Sequence, residues 1–260
     1  MEQETVFIAF ANQKGGVGKS AITTLFASYL HHIKRKNVAI IDCDFPQNSI
    51  YNMREDDMKS IRESVELRSA LSIQFDQNKK KAYPVIKAQP EKALKSANEL
   101  IETTEEKLDI ILFDLPGTVN STGILNLIFN INYIFIPIIA DKRALQSSLN
   151  FFMTTMRYTD AIQVQGKIAL KSLYMFWNKV DKRENTELYD IFNEIMIEEN
   201  IPALKTSLPD QKKFNKELSL NRDVVFRSTM FPPDRKLLRF SNIDMLAQEI
   251  CSIINISCDE

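Results

Sequence analysis

The stretch "NQKGGVGKSA", Asn12 to Ala21, decides the fold. Three of the chain's six glycines, Gly15, Gly16 and Gly18, fall inside it. A chain this sparing with glycine places it where backbone must approach a ligand closely or turn through positive φ. Just before the stretch, "TVFIAFA" (Thr5 to Ala11) is a nearly continuous apolar run with β-branched and aromatic residues, the composition of a buried parallel strand. Just after it, Ile22, Leu25, Phe26, Tyr29, Leu30 and Ile33 recur at helical spacing. Strand, glycine loop and helix N-terminus therefore follow one another. Free backbone N–H groups and the positive end of the helix dipole then converge on an anion, with Gly15, Gly16, Val17, Gly18, Lys19, Ser20 and Ala21 forming the cradle. Lys19 reaches the β- and γ-phosphates, and the Ser20 hydroxyl suits a magnesium ion. The loop departs from the standard G-x-x-x-x-G-K-[ST], which has glycine where this chain has Gln13. It also carries Lys14, a second lysine that one cradle does not need.

The same alternation runs along the chain. Further strands are expected at Asn37 to Asp42, Tyr83 to Ala88, Leu108 to Asp114, Tyr133 to Ile139, Ile168 to Trp177 and Ala203 to Leu208, most of them separated by helical segments. This predicts an α/β fold: a doubly wound, mostly parallel sheet flanked by helices, with ligands at the C-terminal ends of the strands. No internal repeat, low-complexity linker or domain boundary interrupts residues 1–260, so one domain is expected. At 260 residues and 44% hydrophobic, such a chain buries about 75% of the surface its unfolded form exposes.

Other classes are disfavoured by composition. No apolar run reaches the ~18 residues that span a bilayer, and "MEQETVFIAF" opens with acid rather than a basic secretion signal, so a cytoplasmic protein is expected. Cys43, Cys251 and Cys258 form no C-x-x-C pair and no zinc spacing with His31 and His32; buried or incidental thiols are expected. The net charge of -1 gives no global case for nucleic acid, so any such case must be local.

Carboxylates fall where phosphate chemistry needs them. "IIDCDFPQNS" ends the second strand with Asp42 and Asp44, and "IILFDLPGT" ends another with Asp114, followed by Gly117. Taken alone, an Asp pair before Pro46 serves equally well to end a strand and begin a loop.

The string K-G-G-V-G-K-S resembles the deviant Walker A motif of the ParA/MinD family of ATPases, and the resemblance extends over essentially the whole chain. It implies ATP and Mg2+ as cofactors and a homodimer that sandwiches nucleotide. It also implies that Lys14 is the signature lysine, reaching across the dimer to the partner's phosphates. Supplying that cation in trans offsets charge developing in phosphoryl transfer and couples hydrolysis to dimerisation. Lys14, Lys19 and Asp44 are thus the expected catalytic residues, Asp44 activating the attacking water. Ser20, Asp42 and Asp114 are the expected magnesium neighbours, Asp114 looking like the Walker B aspartate that holds a metal-bound water. Family members usually read DxDPQ; here Phe45 intervenes before Pro46 and Gln47.

The base is less determined. Asn178 matches a family asparagine that contacts adenine, and Pro209 is expected with it among the cofactor-binding residues. Yet "DLPG" also fits the DxxG of GTPases and "WNKVD" their NKxD, in which Asp181 would read guanine; alternatively Asp181 only opens the next loop. The signature lysine favours ATP, with a regulatory GTPase as the alternative.

What the nucleotide controls is read from local charge. Lys205 to Phe240 carries nine basic residues against four acidic ones, in a part of the fold where ParA-like proteins bind DNA without sequence preference. Arg222, Arg227, Arg235 and Lys236 are the named candidates, while Lys79 to Lys81 read as a solvated turn. The tail "IDMLAQEICSIINISCDE" has four acidic residues and no basic ones, unlike the basic amphipathic helix of MinD-like members, so no membrane partner is expected. The segments from Met53 to Lys87 and "FRSTMFPPDRKLLRFSN" look like those of ParA-like proteins of conjugative transposons. The likeness implies a ParB-like or transfer-system partner, with maintenance or transfer of a mobile element as the setting. The alternative from another class is a metabolic or assembly enzyme on the same fold. An iron–sulfur carrier would need paired cysteines that this chain does not place together, and an amide-forming synthetase would need a substrate pocket.

Overall fold

The computed structural model describes residues 4–117, 122–163, 168–181, 183, 187–219 and 225–258. Six strands, β1 (Val6–Phe10), β2 (Val38–Asp42), β3 (Val85–Lys87), β4 (Ile110–Asp114), β5 (Tyr133–Ile138) and β6 (Ser172–Trp177), form one sheet in the order β3-β2-β4-β1-β5-β6. Every pairing is parallel. The chain passes from β4 across β1 to β5, so β1 lies at the point where the connections change direction. Ligand crevices open at such a point, beyond the C-terminal strand ends.

Parallel strands covered on both faces need apolar side chains on both. In β1, Ile8 and Phe10 join one core with Ile40, Leu112, Phe135 and Phe176, while Ala9 joins the other with Ile41, Phe113, Ile134 and Ile136. The first core is covered by α1 (Lys19–Ser28), its π-helical continuation Tyr29–Ile33, and the final helix Ile243–Ile253. The second is covered by helices from the middle of the chain. In order after α1 the helices are α2 (Ser49–Glu63), α3 (Val65–Asn78), α4 (Pro90–Thr103), α5 (Thr122–Asn130), α6 (Lys142–Gln163), α7 (Glu187–Glu198), α8 (Arg235–Leu238) and α9 (Ile243–Ile253). The register pairs Asp114 with both Phe10 and Asp42, which sets the ends of three strands level at one rim.

Away from the nucleotide site, the structure differs from the sequence reading at the segment Ala203 to Leu208, at two cysteines and at the lysine turn. The segment Ala203 to Leu208 is no strand. It makes a single bridge, Met175 to Ala203, with another from Val180 to Pro209 just beyond it, while the Glu249 carboxylate on α9 takes the N–H groups of Lys205 (2.7 Å) and Thr206 (2.9 Å). Cys251 and Cys258 are joined in a disulfide rather than standing as separate thiols. After α9 ends, Asn255 turns through positive φ and Ile256 donates back to the Cys251 carbonyl, bringing the two Cα atoms to 6.1 Å. Only Cys43 is a free, buried thiol among the described residues. The Lys79 to Lys81 turn is tied down: Lys80 Nζ donates to the Arg35 carbonyl and Asn37, and the Lys81 carbonyl meets His31 Nε2 at 2.7 Å.

The tail also has a definite place. Ile243, Leu246, Ala247, Ile250 and Cys251 bury the apolar face of α9 in the core. Among the described residues no helix is long and apolar enough to cross a membrane.

Candidate nucleotide site

The phosphate loop is held by side chains from distant strands. Gly16 (φ 78°) and Gly18 (φ 95°) occupy the left-handed region, and Gly18 serves as the N-cap of α1. A Cβ on Gly18 would stand 2.7 Å from Asn178 Nδ2, so both conformation and space demand glycine there. Asn178 donates that amide to the Val17 carbonyl (2.7 Å), and Lys179 Nζ donates to the Gly16 carbonyl (2.8 Å). Planar trans peptides put the following N–H groups, those of Val17 and Gly18, on the opposite side. At the loop's entrance, buried Asn12 donates to the Pro137 carbonyl (2.9 Å) and Ser148 Oγ (2.7 Å), and its Oδ1 accepts from Lys14 N (3.0 Å). Val17 is fully buried and pins the loop's centre.

The loop forms one wall of a cavity of about 500 Å³. The loop contributes Gly15, Gly16, Gly18, Lys19, Ser20 and Ala21 to the lining, the loops after β2 and β4 contribute Asp44, Gln47 and Gly117, and the chain after β6, the wall far from the loop in sequence, contributes Asn178, Pro209, Asp210, Phe214 and Arg227. Gln47 thus reaches the site despite the inserted Phe45. Phe45 itself is 59% exposed.

Three carboxylates and a lysine set the electrostatics. Burial raises the Asp114 carboxyl to about 8; a nearby Ser20 hydroxyl and Lys19 oppose this, and Asp42 and Asp44 add to it. Neither Asp114 oxygen has a partner of hydrogen-bonding geometry among the described residues. A buried, unsatisfied carboxylate beside a hydroxyl is costly as it stands and fits a hydrated divalent cation. No cluster of three or more His, Cys, Asp or Glu suited to a metal occurs among the described residues. A magnesium ion here would therefore rely on Ser20, Asp114, water and phosphate oxygens, the arrangement magnesium favours. Burial lowers the Lys19 ammonium and raises the Asp44 carboxyl, and the attraction between Lys19 and the carboxylates Asp114 and Asp44 opposes both shifts.

Asp42 has a different task from the one expected. Its Oδ1 accepts from Asp44 N (3.1 Å) and its Oδ2 from Ile50 N (3.0 Å) and Tyr51 N (2.9 Å). The N-cap of α2, Asn48, makes no side-chain cap bond, so Asp42 caps that helix from the end of β2. Both oxygens of Asp42 thus accept from backbone donors, which gives it a structural task besides any place near a metal.

Asp181 does not line the cavity. Its carboxylate pairs with Arg183 (2.7 Å), which draws it down to about 2. Lys14 is exposed and also lies off the cavity of its own chain. Among the DNA candidates, Arg222 lies outside the described residues, and Arg235 and Lys236 are exposed on α8, whose N-cap is Asp234. Arg227 is corrected: it faces the nucleotide cavity and pairs with Glu217, because residues 217 and 227 are bridged backbone to backbone. Sequence reading missed Asn12, Lys179 and Phe214; only Lys179, beside Asn178 in "WNK", carried a local signal.

A glycine loop at a helix start, with a lysine and two carboxylates at the rim of a parallel sheet, defines a nucleotide-phosphate-binding α/β protein. Residues 8–224 match the family described as CbiA, the CobQ/CobB/MinD/ParA nucleotide binding domain, and the chain belongs to that family. Its fold is similar to that of pNOB8 ParA bound to nonspecific DNA, at TM-score 0.57 and 18% identity over 96% of this chain and 99% of that one. It is similar also to a putative plasmid partition protein of Borrelia burgdorferi B31 bound to AMPPNP (TM-score 0.55, 20% identity, 85% and 93% covered). A third similar fold is the cobyrinic acid a,c-diamide synthase of Mycobacterium smegmatis with ADP and magnesium (TM-score 0.52, 20% identity, 80% and 88% covered). Identities this low speak for the fold alone. Comparison with curated protein sequences finds no match.

Proposed function

We propose that the chain is a single-domain, ParA-like, magnesium-dependent ATPase whose ATP-bound homodimer binds DNA without sequence preference. The observation that carries this reading is the division between the two loop lysines. Lys19 is half-buried in the cavity among Asp44 and Asp114, whereas Lys14, five residues earlier, is exposed and lies off that cavity. A lysine so placed is available to a second copy's phosphates.

Within one protomer, the N–H groups of the loop and the α1 dipole hold the phosphate chain. Lys19 neutralises the β- and γ-phosphates, and Ser20 and Asp114 would hold magnesium. Bound there, the ion would screen phosphate charge and orient the terminal phosphoryl group. Asp44, at the rim and raised by burial, accepts a hydrogen bond from water and aligns it for attack. Lys14 of the partner supplies the missing cation in the transition state, so hydrolysis is slow until dimerisation completes the site.

Asp181, engaged with Arg183 and off the cavity, supports ATP over GTP. Exposed Arg235 and Lys236 support a DNA surface on α8. A ParB-like or transfer-system activator and a mobile-element setting belong to the same proposal. The test is binding of purified protein to sequence-random duplex DNA at one salt concentration with ATP, ADP or no nucleotide. Binding is expected only with ATP, persisting in Asp44→Ala and lost in Lys14→Ala. Turnover of ATP with no DNA binding in any state would move the search to a protein or small-molecule partner.

A further inference from the structure

The segment "FRSTMF", Phe226 to Phe231, has no part in the mechanism above, yet it is anchored from several sides. Phe226 N and Arg227 N both donate to the Lys216 carbonyl (3.0 and 2.9 Å). The Ser228 carbonyl accepts from Ser28 on α1. Asp57 on α2, 2% exposed, accepts from Ser228 Oγ (3.0 Å), Thr229 N (2.7 Å) and Thr229 Oγ1 (2.8 Å). Arg54 adds bonds to Thr229 Oγ1 (2.8 Å) and the Thr229 carbonyl (3.0 Å), and Met230 and Phe231 pack with Ile61. The segment is thereby tied to the last turn of α1 and the middle of α2, while Arg227 itself shares a cavity with Ser20, Ser49 and Asn52 of their first turns.

Its side chain, 17% exposed, enters the nucleotide cavity and also a side cavity of about 170 Å³, which it shares with Ser20, Ser49, Asn52 and Glu217. Glu217 pairs with the guanidinium, and the buried Nε has no partner among the described residues. The cations lining the main cavity are Lys19, Lys179 and Arg227. Lys179 is committed to the Gly16 carbonyl, and Lys19 stands among the carboxylates. Arg227 is therefore the cation left on the far wall, desolvated and incompletely paired, and its planar fork matches a phosphate.

We propose that Arg227 is a ligand of the nucleotide's phosphate chain, held in place before binding by Glu217 and clamping a nucleoside di- or triphosphate against the flank that carries Ser20. This rests on the nucleotide-binding part of the reading above and is independent of DNA binding. The test is competition of ADP, ATP and adenosine against a fluorescent ADP, using the full chain and its Arg227→Gln, Arg227→Lys and Glu217→Gln variants. Arg227→Gln is expected to weaken ADP and ATP ~10- to 100-fold and leave adenosine unchanged, with Arg227→Lys recovering part of the loss. Glu217→Gln, which removes the group that holds the guanidinium in place, is expected to weaken ADP and ATP by less than Arg227→Gln does and to leave adenosine unchanged. A folded Arg227→Gln that binds ADP and ATP like the parent overturns the proposal, as does an equal loss for adenosine or a Glu217→Gln that costs more than Arg227→Gln. If the unaltered protein binds none of the three, the nucleotide reading itself falls; if it binds them and only Arg227→Gln is silent, the inference alone falls.

Discussion

The two walls of the nucleotide cavity are built in opposite ways. The phosphate wall is one contiguous run, Asn12 to Ala21, which carries its own glycines and opens a helix, with Asn178 and Lys179 steadying its carbonyls from outside. The far wall consists of the cavity-lining residues Asn178, Pro209, Phe214 and Arg227, of which Phe214 sits in the 3-10 turn Lys212–Asn215 and the others lie outside the named helices and strands. It is held by contacts far apart in sequence, such as Thr229 with Asp57 and Asn178 with Val17, 172 and 161 residues apart. A contiguous backbone device leaves a motif in the sequence; a wall assembled from remote side chains does not.

Predictions that separate the two walls run from large effects to small. Lys19→Ala strikes the phosphate wall and is expected to cost about 1,000-fold in ATP affinity, roughly 4 kcal/mol, because a desolvated cation facing phosphate has no substitute. Its melting temperature should hold or rise, since burial already disfavours that charge. Calorimetric titration and a thermal melt check both; near-normal ATP binding would remove the phosphate loop from the account. Asp57→Ala strikes the scaffold of the far wall and reverses the pattern. It leaves the donors of Ser228 and Thr229 unsatisfied and is expected to lower unfolding stability by about 3 kcal/mol in urea, with nucleotide affinity falling less than it does for Lys19→Ala.

Away from the nucleotide cavity, the turn after α1 has its own signature. His31 and His32 follow α1 and pack on Tyr83, with Gln74 Nε2 3.3 Å from His32 Nδ1. Burial, with His31, Arg54 and Lys80 as neighbours, lowers His32 to about 3. The unfolded chain takes up that proton near pH 6.5, whereas the folded chain resists it down to about 3, so stability falls as pH drops through this window. Between pH 6.5 and 5 the loss from His32 is about 2 kcal/mol. Urea unfolding at the two pH values should show it, and His32→Gln should flatten the slope. Smallest is Asn178→Ala, which loosens the tie between the walls at Val17 and is expected to weaken ATP about tenfold, or 1.4 kcal/mol. An unchanged affinity would mean that the loop holds its shape unaided.

The same contrast explains what was legible. The sheet, its parallel sense and the rim carboxylates Asp44 and Asp114 could be read because buried strands are continuous apolar runs that end where ligands bind. The capping role of Asp42 was not legible, because it depends on Ile50 and Tyr51 returning to it, which the pattern D-x-D does not announce. Arg227 was read as one charge among nine, since only the bridge to Glu217 turns it inward. The Cys251–Cys258 link depended on a reversal after α9 that no cysteine spacing rule describes. Glu249 removed a strand by taking backbone N–H groups at Lys205 and Thr206, a competition that strand propensity alone does not include.

The proposed switch turns on Lys14 serving a second copy of the chain. Sedimentation of Asp44→Ala with ATP and magnesium, beside the Lys14→Ala, Asp44→Ala double variant, separates the possibilities, with bound nucleotide measured in both. A dimer is expected for the single variant and an ATP-bound monomer for the double variant. A double variant that dimerises as fully as the single one would leave Lys14 without a role in the partner's site.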